Sequence, residues 1–289
     1  MAIKALRKAA LAAAMAVMAS GALADVPQLK LGADMRIPQL GIGVWELSSD
    51  EAYKSVLEAL KIGYRLVDTA QYYRNEAAVY KAIVDSGVPR KDIFLMSKLN
   101  PDNSTEAEIR QALDESLDNL GGHIDLMLIH WPTGADTLQW KIMEEYQKAG
   151  KFGAIGVSNY RLSRLKPILD QATVKPVLDQ IEIDPYYTRP HEVRELQDAG
   201  IVVQAWSPLG AGRQGLLKDR VINEIARKHG KTAAQVILRW DIQHGLVTIP
   251  RSRNPAHIRE NYEITGFSLD DAEMKAIDAL DRDQAIWRN

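Results

Sequence analysis

Asp68, Tyr73, Lys98 and His130 are four side chains that, brought together, could polarise a carbonyl group and protonate its oxygen. A tyrosine hydroxyl has a pKa of about 10 and is by itself a poor acid near neutrality. An ammonium group beside it favours the phenolate and lowers that value. Lys98, itself oriented by Asp68, is the candidate to do this for Tyr73. His130 is the candidate to donate a hydrogen bond to the carbonyl oxygen, and the set then amounts to general acid catalysis. Taken singly, each has a plainer reading: an Asp that caps a helix, a Lys in solvent, a His satisfied in the core or at the surface. Their common position weighs against four coincidences, because Asp68, Lys98 and His130 each close a short apolar run and Tyr73 soon follows Asp68.

Those runs belong to a series. Short segments rich in Val, Ile and Leu at 40–43, 65–68, 93–97, 126–129, 154–157, 178–182, 202–205 and 247–249 have the composition of buried parallel strands. Amphipathic stretches lie between them. From 106 to 120, Ile109, Ala112, Leu113, Leu117 and Leu120 share one helix face, Thr105 and Glu108 read as a capping box, and Gly121-Gly122 ends the helix. Another helix starts at Ser48, with Glu51 three residues on, and stops at Gly63. Strands alternating with helices imply right-handed βαβ units, in either an open doubly wound sheet or a closed barrel. Eight such units in about 250 residues favour the barrel. The expected fold class is therefore α/β, a single-domain (β/α)8 TIM barrel, with 26–38 as an N-terminal hairpin over its lower end. In such a barrel the chemistry sits beyond the C-terminal ends of the strands, which is where the four residues fall.

Composition narrows the classes. With 289 residues, a net charge of −2 and no long run of one sign, the chain lacks the basic excess of a nucleic-acid binder. The absence of cysteine excludes disulfides, thiolate chemistry and cysteine-ligated metal. His, Asp and Glu show no tight ligand spacing such as H-E-x-x-H, so no metal is expected. No G-x-G-x-x-G follows a strand, and Gly41 and Gly43 read as backbone packing at the first turn. Residues 1–24 differ from the rest: Lys4, Arg7 and Lys8, then an apolar stretch over 9–19, then Ala22-Leu23-Ala24. That is the order of a secretory signal peptide, with an apolar run too short to span a bilayer, and an Ala-rich helix retained on the protein is the plainer alternative. The domains are thus 1–24, a signal peptide, and 25–289, the barrel. A functional leader would place the protein in the periplasm or outside the cell, and an unused one would leave it in the cytoplasm; no membrane association is expected.

Across nearly all of residues 26–280 the sequence resembles the aldo-keto reductase family. Gly41-Ile-Gly43-Val-Trp45, Gly63-Tyr64-Arg65-Leu66-Val67-Asp68-Thr69-Ala70 with Tyr73 and Asn75-Glu76, Ser97-Lys98-Leu99, Ile129-His130-Trp131-Pro132, Ile155-Gly156-Val157-Ser158-Asn159, Gln180-Ile181-Glu182, Trp206-Ser207-Pro208-Leu209-Gly210 and Ile249-Pro250-Arg251-Ser252 follow in the family's order. The resemblance implies Tyr73 as the acid, Lys98 and Asp68 as its tuning pair and His130 as the carbonyl orienter. It implies NADPH as cofactor, with Ser158, Asn159 and Gln180 on the carboxamide and Trp206 stacked on the nicotinamide where many members have Tyr. Ser207, Leu209 and Gly210 would line the pyrophosphate, and Asn261 would contact the adenine. Asn254 and Pro255 look like the cap and first residue of a helix that would present a phosphate site after the eighth strand. Arg251 and Ser252 would grip the 2′-phosphate there, although Arg251 and Arg253 also read as a solvated charge pair. His257 stands where the family usually has Arg, which weakens that grip and makes NADH use possible.

Trp45 and Trp131 are expected to wall the substrate pocket. The loop after Pro132 is short, the chain ends soon after a helix at 270–280, and the long aromatic C-terminal loop of other members is missing. Members with such loops are similar to bacterial 2,5-diketo-D-gluconate reductases and aldehyde or methylglyoxal reductases, which implies a small polar carbonyl substrate and, from family habit, a monomer. Arg74 and Tyr80 stand where Gly or another small residue is common. Two other classes compete: a non-catalytic NADPH-binding relative of the same fold, and a different barrel enzyme such as a phosphate-sugar isomerase or lyase. The intact tetrad opposes the first, and the lack of a Schiff-base or metal pattern opposes the second.

Overall fold

The structure, a computed structural model, describes residues 25–213 and 215–287. The leader expected at 1–24 lies outside the described residues. The strands are β1 (Gln28–Leu31), β2 (Met35–Pro38), β3 (Ile42–Gly43), β4 (Leu66–Asp68), β5 (Phe94–Leu99), β6 (Ile124–Ile129), β7 (Phe152–Ser158), β8 (Leu178–Glu182), β9 (Val202–Trp206) and β10 (Val247–Thr248). The α-helices are α1 (Ser49–Ile62), α2 (Glu76–Ser86), α3 (Glu106–Asn119), α4 (Asp136–Lys148), α5 (Leu162–Leu169), α6 (Pro190–Asp198), α7 (Arg220–His229), α8 (Ala233–Gln243), α9 (Pro255–Tyr262) and α10 (Asp271–Asp278).

β3 to β10 pair in sequence order, all parallel. The two edges meet: Leu40 bridges Thr248 in parallel, and Gly41 N donates to Thr248 O and Gly43 N to Pro250 O. The sheet is therefore closed, an α/β barrel rather than the open alternative. Both glycines serve that closure. A Cβ on Gly43 would lie 3.0 Å from Ile249 O, and one on Gly41 would lie 2.5 Å from the Leu66 side chain. The packing role expected for this pair is what the structure displays.

The helix signals hold. Ser48 with Glu51 and Thr105 with Glu108 form capping boxes on α1 and α3, and all five apolar positions of the α3 stripe are buried. The antiparallel hairpin β1–β2 packs Leu31 and Ile37 into a cluster with Leu66, Phe94, Met96, Leu126, Leu128 and Leu178. That cluster is the barrel interior. Because strand side chains alternate, the same rows continue upward: Phe94 and Met96 lead to Lys98, Leu126 and Leu128 to His130, Leu66 to Asp68, and Leu178 to Gln180. The opposite rows, such as Val67, Leu95, Met127, Ile129 and Ile155, join the core beneath the helices.

Candidate active site

The upper ends of the interior rows turn from apolar to polar, and they converge. Lys98, fully buried, contacts Asp68 Oδ1 at 2.6 Å, Thr69 O at 2.9 Å and the Tyr73 hydroxyl at 3.2 Å. Three acceptors match the three N–H donors of an ammonium. The Tyr73 oxygen therefore accepts from Lys98, which leaves its own proton free to point elsewhere. Asp68 Oδ2 accepts from Gln180 Nε2 at 2.7 Å, and that amide nitrogen also reaches Gln204 Oε1 at 3.0 Å. The His130 ring stands edge-on to Tyr73, centroids 5.6 Å apart, and its Nδ1 is buried without a hydrogen-bond partner among the described residues.

Electrostatics assign the resting protonation states. Burial pushes the Asp68 carboxyl up and the Lys98 ammonium down, while each partner's charge pulls the other back. Burial, followed by the Asp68 charge, holds the Tyr73 hydroxyl well above its usual value. This corrects the expectation that Lys98 lowers it: Asp68 cancels much of the ammonium's field, and desolvation prevails. Tyr73 rests as a neutral phenol. Burial and the nearby ammonium keep His130 well below the ordinary histidine range, so it is neutral.

The loops that hold these groups are tightly tied. Tyr73 closes a 3-10 turn, and Arg74 after it adopts φ 57°, a left-handed conformation that explains why glycine suits this position. Asn75 donates to Val44 O and Leu47 O and accepts from Thr69, which joins the Tyr73 loop to the first barrel loop. Glu76 accepts from Ser97 and Ser116. The polar atoms of Asn75 are thus spent on the loops and those of Glu76 on β5 and α3, structural roles that spacing alone did not reveal. Tyr80, the other unusual residue, packs over Gly121, leaving no room for a Cβ there.

A cavity of about 820 Å³ runs from Tyr73, His130 and Trp131 past Ser158, Asn159, Gln180, Trp206, Ser207 and Leu209 to Arg251, Ser252, His257 and Asn261, with Trp45 on its wall. That volume falls in the range of roughly 300–1,000 Å³ usual for ligand sites. Of the residues expected to do chemistry, hold the cofactor or wall the pocket, Lys98 lies behind the wall and Gly210 beside it; the rest line the cavity. Ser158 Oγ donates to Gln180 O, Asn159 Nδ2 to His130 O, and Trp206 Nε1 to Asn159 Oδ1 at 2.9 Å, so the indole is fixed. Asn159, Ser207, Glu46 and Ala211 join Arg74 at positive φ, and such strain concentrates at functional sites. Asn254 caps α9 as expected, with Pro255 at its first turn.

Two features were not foreseen. The short C-terminal segment does bring an aromatic to the mouth: Trp287 meets Trp45 edge-to-face at 5.5 Å, and the Arg213 guanidinium lies over the Trp287 ring at 4.8 Å. Ile286 N, donating to Glu182 at 2.6 Å, anchors it. A single tryptophan at 287 offers no periodicity to read. Arg251 and Arg253 are also not solvated as a bare pair, since each is bound to an acid of the loop before or at the start of α1, Glu46 and Glu51.

Fold and site together define a closed parallel barrel with a polar-lined cavity at the C-terminal ends of its strands, and its relatives make it an oxidoreductase. The Aldo/keto reductase family model matches residues 38–282, and the chain belongs to that family. It is 42% identical over 276 residues to a glyoxal reductase of Bacillus subtilis, covering 92% of this chain and 96% of the relative. It is 38% identical over 268 residues to the methylglyoxal reductase DkgA of Escherichia coli, covering 91% and 97%. An aldo/keto reductase crystal structure from Brucella melitensis superposes with a TM-score of 0.84 at 42% identity, over 89% of this chain and all of that one. The isomerase or lyase alternative is thereby excluded, and nothing in the site favours a non-catalytic relative.

Proposed function

We propose that this chain reduces a small aldehyde or ketone, of the methylglyoxal, keto sugar acid or general aldehyde kind, to the alcohol, with NADPH preferred and NADH accepted. The observation that carries this reading is the Lys98 ammonium, whose three donors are all engaged, one on the Tyr73 oxygen. Tyr73 is thus a neutral acid whose proton faces away from Lys98.

The residues fit a nicotinamide dinucleotide. Ser158, Asn159 and Gln180 offer hydroxyl and amide groups beside Trp206, and Arg251, the Ser252 hydroxyl and the α9 N-terminus offer donors for phosphate at the far end. When bound, the reduced dinucleotide supplies a hydride to the carbonyl carbon. Neutral His130 and Tyr73 hold the carbonyl oxygen, and Tyr73 gives it a proton. The phenolate left behind is stabilised by the Lys98 ammonium 3.2 Å away, until solvent restores the proton. Trp45, Trp131 and Trp287 narrow the mouth and exclude water.

The test is oxidation of NADPH by methylglyoxal, and separately of NADH, with wild type and Tyr73→Phe. Turnover should fall at least about a hundredfold in the variant, the scale of general acid catalysis, while dinucleotide binding persists. A variant with unchanged turnover, or a wild type inert toward a broad aldehyde panel, sinks the assignment.

A further inference from the structure

An acid stands where the far end of the cavity would bind an anion. Arg251 Nη1 donates to Glu46 Oε2 at 2.9 Å and to Trp45 O at 3.1 Å. The two charged side chains are partly exposed, 27% for Arg251 and 43% for Glu46. Glu46 reaches this position from the loop after β3, whose strand abuts β10 where the barrel closes, and it does so at φ 56°, a conformation uncommon for a glutamate. Nearby, Glu51 holds Arg253 at 2.8 Å. Each arginine of the loop after β10 is therefore already answered by a carboxylate from the other side of the barrel seam.

We infer that Glu46 sets the dinucleotide preference, by competing with the 2′-phosphate of NADPH for the Arg251 guanidinium. The inference rests on the reading that Arg251 faces that phosphate. Carboxylate and phosphate use the same fork of N–H donors, so the phosphate must displace Glu46 or share the guanidinium against its charge. A dinucleotide with a free 2′-hydroxyl leaves the pair intact and meets no such competitor. Glu46 thus weakens NADPH binding selectively and draws the affinities for the two cofactors together. Ser252, uncharged and on the same loop, cannot offset this electrostatically.

Dissociation constants for NADP+ and NAD+, read from quenching of tryptophan fluorescence, decide the matter in wild type, Glu46→Gln, Glu46→Asn and Arg251→Met. Asn tolerates the left-handed backbone, so that variant removes the charge without added strain. Both Glu46 variants should bind NADP+ about fivefold more tightly, the scale of a partly exposed ion pair, and leave NAD+ unchanged. The gain should shrink at high salt. Equal shifts for both dinucleotides would mean that Glu46 acts through Trp45 or the loop, and would overturn the inference. So would unchanged NADP+ binding in the Glu46 variants while Arg251→Met weakens NADP+ alone; in that case the phosphate reading of Arg251 survives. If Arg251→Met fails to weaken NADP+ selectively, that reading falls and the inference with it.

Discussion

Lys98 and Asp68 show why a charged pair at the top of a barrel is a structural commitment. Both are buried, and each is tolerable only because the other is there. Replacing Lys98 by Met strands the Asp68 charge in the interior. Chemical denaturation should register a loss of about 3–5 kcal/mol for Lys98→Met, as for other broken buried pairs. Adding Asp68→Asn should recover part of that loss, since the stranded charge is then gone. A double variant less stable than Lys98→Met would mean that Asp68 is held mainly by Gln180 and not by the ammonium. At this scale residue type and strand-end position were enough to find four side chains that converge, but not the sign of the Tyr73 shift. That sign depends on how deeply the ring is buried and on the distance at which Asp68 cancels Lys98.

At the scale of elements, the apolar runs located all eight barrel strands but ended several too early. β5 continues through Lys98 and Leu99, β7 through Ser158, and β9 through Trp206. Apolar composition fades at those upper ends, whereas the ladder continues because Lys98, Ser158 and Trp206 still occupy interior rows and find partners there. The seam between β3 and β10 is where an element-scale change should be felt most. Gly43→Val places a side chain against Ile249 O, which lies 3.0 Å from the Cβ position. Backbone cannot yield as a side-chain tip can, so thermal unfolding should show a loss of about 1–3 kcal/mol, the usual cost of overpacking. An unchanged melting temperature would show that the seam is looser than its hydrogen bonds indicate.

For the whole molecule, buried carboxylates away from the tetrad shape the response to pH. Asp184 follows β8, with Oδ1 accepting from Tyr186 N at 2.7 Å and Oδ2 buried without a partner among the described residues. Burial, with Glu182 and Asp281 nearby, pushes its carboxyl up to about 7. The folded chain therefore keeps a proton that an unfolded aspartate releases at about 4. Its cost is absent below the unfolded value, grows as pH rises toward 7, and is complete above it. Asp184→Asn cannot ionise. Urea denaturation should find this variant more stable than wild type at pH 8, by on the order of 2–4 kcal/mol, with the difference vanishing near pH 4. A difference independent of pH would show that Asp184 titrates normally.

The alternation of strands and helices, the caps and the ordered motifs determined the family, the barrel and the polar and aromatic residues at the strand ends that line its cavity. These are local patterns, repeated each time a strand rises through the interior. The tertiary structure decided what no local pattern encodes. Closure rests on Gly43 meeting Ile249 across the ends of the sheet. Asn75 ties the loop that carries Tyr73 to the first barrel loop, and Glu76 ties α2 to β5 and α3. Trp287 folds back onto Trp45, and Glu46 comes to face Arg251. Each of these depends on two segments far apart in the chain arriving within hydrogen-bonding or packing distance, where burial and charge act between residues that the sequence keeps separate.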